Sequence, residues 1–82
     1  MHELTLAFDL VERIQEIIKS EGATKASSIS ITIGKQSGVD RSCFEFAFPE
    51  ASKNTALENA KLIINETEDH SFQLHSVEVY DV

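Results

Sequence analysis

The sequence is poor in cysteine, proline, glycine and basic side chains, and each shortage excludes something. A single cysteine, Cys43, closes no internal disulfide and cannot supply the four thiolates of a structural zinc site. That usage fits a reducing compartment, so a cytoplasmic setting is expected. Seven Lys and Arg stand against fourteen Asp and Glu, for a formal net charge of −7. Phosphate binding needs clustered cations, so nucleic acid is excluded as a partner and anionic lipid is disfavoured. No apolar run approaches the roughly 20 residues of a membrane-spanning helix. Nor does a basic stretch followed by an apolar one open the chain, so no secretory leader is expected. One proline and three glycines leave few breaks, and 82 residues leave room for one domain, 1–82, with one modest core.

What is present is periodicity. Ala7, Leu10, Val11, Ile14, Ile17 and Ile18 recur at three- and four-residue spacing. Asp9, Glu12, Arg13, Gln15, Glu16 and Lys19 fill the opposite face, which predicts an amphipathic helix over 4–20 closed by Gly22. Leu6 and Phe8 lie off the stripe and either widen it or form an exposed contact patch. Over 26–33 the period becomes two: Ile29, Ile31 and Ile33 alternate with Ser28, Ser30 and Thr32, a half-buried strand. Asp40 or Ser42 can cap a short second helix whose apolar face carries Cys43, Phe44, Ala47 and Phe48, with Pro49 at or just past its end. On that face Cys43 is expected to be buried and inert. Strands follow at 61–65 and 72–79, joined by a hairpin loop over 66–71. Phe72 and Leu74 are out of phase with Val77 and Val79, which predicts a bulge or two buried faces. The class expected is α+β: a small two-layer domain in the order helix-strand-helix-strand-strand, two helices on a three-stranded sheet.

Only the first residues carry distinctive chemistry. His2 is too large for methionine removal, so Met1 keeps its α-amine. That amine, the deprotonated backbone amide of His2 and the His2 Nδ1 form fused five- and six-membered chelates. The amide or carboxylate of Glu3, or an outside ligand, takes the fourth position. A planar nitrogen set of this kind suits Ni(II) or Cu(II) and not zinc. His70 and His75 are weaker candidates for a metal pair and read as two solvated histidines of the hairpin formed by the last two strands. No spacing marks an acid–base pair, and no glycine motif cradles phosphate, so no enzyme is expected.

Met1-His2-Glu3-Leu4-Thr5-Leu6-Ala7 resembles the N-terminus of the HypA/HybF family. Ile31-Thr32-Ile33-Gly34, Ser37-Gly38-Val39, Phe44-Glu45-Phe46-Ala47-Phe48, Ala60-Lys61-Leu62-Ile63-Ile64 and Ser76-Val77-Glu78-Val79 resemble later segments of it in the same order. The resemblance implies a metallochaperone that delivers Ni(II) during maturation of nickel–iron hydrogenase or urease, with its nickel site at Met1, His2 and Glu3. It also implies a HypB-like maturation GTPase and the hydrogenase large subunit as partners, and it is compatible with a homodimer. The chain departs from the family in two places. Glu66-Thr67-Glu68-Asp69-His70-Ser71 stands where the family carries a zinc lobe with two CxxC pairs, so no structural zinc is expected. Lys35-Gln36 replaces a more usual acidic-then-apolar pair. The alternative role is a zinc-less interaction or regulatory module in which nickel is incidental.

Overall fold

A computed structural model describes residues 2–81. The elements are α1 (Glu3–Ser20), β1 (Lys25–Gly34), α2 (Arg41–Ser52), β2 (Lys61–Thr67) and β3 (Phe72–Tyr80). The class and element order are those expected. Ala7, Leu10, Val11, Ile14 and Ile18 form the buried stripe of α1, with Leu6 half-buried beside it and Phe8 left outside. Past the end of α1 the chain turns at Gly22, at φ 71°, and Ala23 N–H reaches back to the Ile18 carbonyl at 3.1 Å.

The sheet order is β2-β1-β3, with β1 parallel to β2 and antiparallel to β3. The expected hairpin is therefore not formed. β2 and β3 flank β1 on opposite sides, and the loop between them crosses the end of the central strand. The reason lies in α2. A strand, a helix and a second strand in succession form a crossover unit, which places the second strand parallel to the first. The loop is tied down as it crosses. Gly34 N–H donates to the Ser71 carbonyl (2.6 Å), Lys35 N–H to Thr67 (2.8 Å) and Gln36 N–H to Asp69 (2.9 Å). Gly34 is required there, because a Cβ would overlap the Asp69 carbonyl.

Ile29, Ile31 and Ile33 of β1 face the helices and are buried with Phe44, Phe48, Ala51 and Leu57. Phe44 packs edge-on against Phe72 at 5.5 Å between ring centroids. The predicted bulge is present. Ser30 pairs with Ser76 and Ile31 with Leu74, so His75 is an extra residue on β3. That extra residue puts Phe72, Leu74 and Val77 on one face despite their uneven spacing.

Two expectations for α2 need correction. Pro49 lies inside the helix, which runs on to Ser52. The apolar stripe is 44, 47, 48 and 51, so burial of Ala51 holds the last turn in place, and the carbonyl robbed of its donor by the proline belongs to the exposed Glu45. Cys43 is exposed, because the stripe is centred one position later than the spacing 43/44/47/48 suggested. His70 and His75 are both exposed, one in the crossing loop and the other at the bulge.

Candidate metal centre at the start of the first helix

His2 is the N-cap residue of α1, with an extended backbone at φ −87° and ψ 104°. Its carbonyl accepts the first helical hydrogen bond, from Leu6 N–H at 3.1 Å. Its exposed side chain makes no capping bond, and among the described residues the imidazole has no hydrogen-bond partner. The backbone N–H groups at the start of a helix have no carbonyl partner within it. The His2 and Glu3 amides therefore lose no helical bond if they are deprotonated.

Glu3 is placed differently. Its Oε2 accepts a hydrogen bond from Asp40 N–H at 2.9 Å, tying the start of α1 to the start of α2. That bond, with a second from Glu3's own N–H, holds the carboxyl below its usual range. Asp40 in turn caps α2 by accepting from Cys43 N–H at 2.9 Å. The Cys43 thiol is pushed up, chiefly by its hydrogen bond to the Asp40 carboxylate, so it stays protonated and is a poor metal donor. The Met1 part of the expected site lies outside the described residues.

Beside these groups is an open groove of about 800 Å³ lined by His2, Leu4, Cys43, Phe46 and Pro49. Phe46 is 89% exposed, far more than a large aromatic side chain needs to be. Among the described residues no three His, Cys, Asp or Glu side chains converge to hold a metal. A metal at this position must therefore draw on main-chain donors. A bare cation is disfavoured at a helix N-terminus, where the dipole is positive. A deprotonated His2 amide would offset part of the charge of a divalent ion and lessen that penalty.

A family model described as "HypA: Hydrogenase/urease nickel incorporation, metallochaperone, hypA" matches residues 1–72. The chain belongs to the HypA family. It is 34% identical over 68 residues to the hydrogenase maturation factor HypA of Chlorobaculum tepidum, covering 83% of this chain and 60% of that one. With the HypA of Roseiflexus sp. it is 39% identical over 66 residues, covering 80% of this chain and 54% of that one. The chain thus spans about 60% of the length of the first of these relatives. The solution structure of the Ni metallochaperone HypA from Helicobacter pylori superposes with a TM-score of 0.88 at 20% identity, covering all of both chains. That likeness establishes the fold.

Against this family background, sequence reasoning missed the bond from Asp40 to Glu3. The two residues are 37 positions apart, and no local pattern joins them. It also missed the exposure of Phe46, whose spacing of two from Phe44 and Phe48 was itself the signal, since such a spacing points to the opposite side of a helix.

Proposed function

We propose that this chain binds Ni(II) at its N-terminus and hands it on during the maturation of nickel–iron hydrogenase or urease. The donors are the Met1 amine and the amide and Nδ1 of His2, with the fourth position, opposite the His2 amide, open to an incoming ligand; the Glu3 amide cannot reach it, since its five-membered ring with the His2 amide would place it where the amine and Nδ1 already stand. The Glu3 carboxylate is the lesser choice for the fourth position, because coordinating there would leave Asp40 N–H without its acceptor. Nickel is cargo here, not a resident cofactor, and no catalytic role falls to any residue. Four thiolates for zinc cannot come from one cysteine, so this chain works without a thiolate zinc site of its own. The receiving partners are a HypB-like GTPase and the hydrogenase large subunit.

The observation that carries the reading is the extended, uncapped His2 with its free imidazole, in a chain of a nickel-incorporation family. Calorimetric titration of Ni(II) into a chain beginning at Met1 tests it. His2→Ala should abolish binding, as should any residue added ahead of Met1, whereas Cys43→Ser should leave it unchanged. Equal binding by wild type and His2→Ala overturns the assignment. The second reading, an interaction module, rests on the apolar groove with the exposed Phe46 beside Leu4 and Pro49. It predicts partner capture that survives both His2→Ala and chelation of nickel.

A further inference from the structure

Among the described residues Ser52 is the one buried polar side chain, at 3% exposure, and its hydroxyl has no hydrogen-bond partner. A serine inside a helix can turn its hydroxyl back onto the carbonyl four residues earlier, here that of Phe48, and Ser52 does not. A hydroxyl left buried and unpaired carries a desolvation cost, so the residue calls for a partner from outside the chain.

Ser52 lines a groove of about 410 Å³ between the end of α2 and the start of β2. Phe48, Pro49, Ala60 and Leu62 give this groove apolar walls. Its polar groups are mainly acceptors. Glu45 and Glu58 each bring a carboxylate with one oxygen engaged, by Arg41 Nε and by Asn54 N–H, both at 3.3 Å. The second oxygen of each is open. The Glu45 carbonyl lacks its helical donor because position 49 is proline. The groove also stands at the C-terminal end of α2, the negative end of the helix dipole, and the last turn there holds no basic residue. Lys53 sits at the rim, exposed, and among the described residues it pairs with neither carboxylate.

This set selects its occupant by charge and by shape. An anion would meet two carboxylates and the negative end of a helix. A purely apolar group would leave the Ser52 hydroxyl as unpaired as before. An alkyl stem ending in an ammonium or guanidinium group satisfies both demands. The stem lies along the apolar walls, and the head donates to the open carboxylate oxygens and to Ser52 Oγ. We propose that the groove between α2 and β2 binds an organic cation of this kind, supplied as a free alkylamine or alkylguanidine or as a lysine or arginine side chain of a partner protein. The site is at the opposite end of α2 from Asp40 and does not rest on the nickel reading.

Amide-resolved NMR of the isotope-labelled whole chain tests this, with agmatine and the blocked tripeptide acetyl-Leu-Arg-Leu-amide as cationic probes and pentanol as the neutral control. Agmatine should shift the amides of Ser52, Lys53, Asn59, Ala60 and Leu62 saturably, and pentanol should bind at least about tenfold more weakly. Ser52→Ala should weaken agmatine binding by about tenfold, the loss of one charge-assisted hydrogen bond. It should also leave Tm unchanged or raised, because the hydroxyl it removes has no partner in the free chain. Glu58→Gln, which keeps an acceptor for Asn54 N–H, should weaken agmatine by about threefold or more and flatten its salt dependence. Tighter binding of the tripeptide than of agmatine assigns the cation to a partner side chain; the reverse assigns it to a free amine. No saturable shift with either cation overturns the proposal, as does pentanol binding as well as agmatine. Shifts spread over Asp9, Glu12 and Glu16 instead of the groove mean adventitious charge attraction only and overturn it too. A Tm clearly lowered by Ser52→Ala would mean that the hydroxyl is already paired, with the same result.

Discussion

Nickel affinity should fall steeply with acidification, by an amount that counts the donor protons. In the proposed site the metal displaces a proton from the His2 amide and, below the ordinary amine pKa of about 8, a proton from Met1. The Glu3 carboxyl is held below its usual range by Asp40 N–H, so it is ionised throughout the neutral region and releases nothing. Two protons are therefore released per nickel, and apparent affinity should change about a hundredfold per pH unit below 8, since each proton contributes a factor of ten. If the His2 amide kept its proton, only the amine would release one and the dependence would drop to about tenfold. Competition titrations against a chelator of known pH dependence, between about pH 7 and 7.7, separate the two. Calorimetry in buffers of different ionisation enthalpy counts the same protons independently. A change of tenfold or less per pH unit would mean that no backbone amide is deprotonated, which would refute the donor set.

Two further outcomes test the scaffold that carries the site. Gly34→Ala drives a Cβ into main-chain atoms of Asp69 and Ser71, so the crossing loop must lift and give up two or three hydrogen bonds. At about 1 kcal/mol each the cost is about 2–3 kcal/mol, or roughly 10–20 °C in Tm for a domain of this size; thermal unfolding unchanged to within a few degrees would contradict the packing. Glu3, Asp40 and Asp69 are all held below the ordinary carboxylate range: Glu3 mainly by Asp40 N–H, Asp40 mainly by Cys43 N–H, and Asp69 mainly by the Thr67 hydroxyl. Their folded values lie below their unfolded ones, so the stability they contribute is complete above about pH 4 and is lost as pH falls through the folded values. Urea midpoints should drop on acidification, and Asp40→Asn, which keeps an acceptor for the cap, should flatten that drop.

Much of the fold is written in local periodicity, and the parts that were not legible share a physical cause. α1 and β1 declare themselves because each buries one face against a single layer, giving clean periods of 3.6 and 2. Strand order has no such local code. Leu62-Ile63-Ile64 reads the same whether β2 pairs with β3 in a hairpin or with β1 across a helix. The deciding fact, the intervening α2, sits outside the strand itself. The register of α2 was misplaced by one residue because Pro49 suggested an early end, which hid Ala51 as the fourth member of the stripe. At the site, the residue types and their order were legible, since chelate rings follow chain connectivity. The hold of Asp40 on Glu3 was not, because it exists only once two helix starts are brought together by the sheet beneath them.

That hold bears on how a delivery site can both acquire and release its metal. A resident metal centre surrounds its ion with side chains fixed by further hydrogen bonds. Here the His2 ring is exposed and, among the described residues, unbraced, and the His2 amide stands at the N-cap of a helix. What is fixed is the platform: Glu3 is anchored to Asp40, and Asp40 to the first turn of α2. The proposed donors thus stand on a rigid base while their outer side stays open to an incoming ligand from a partner. Every one of those nitrogens also competes with a proton. A partner that supplies a competing donor, or a local fall in pH, can displace nickel stepwise without unfolding α1, because none of the bonds given up belongs to the helix. Tight coordination by buried thiolates would retain nickel better and deliver it worse. The protonated Cys43, close by yet held by Asp40, keeps the site from becoming one of that kind.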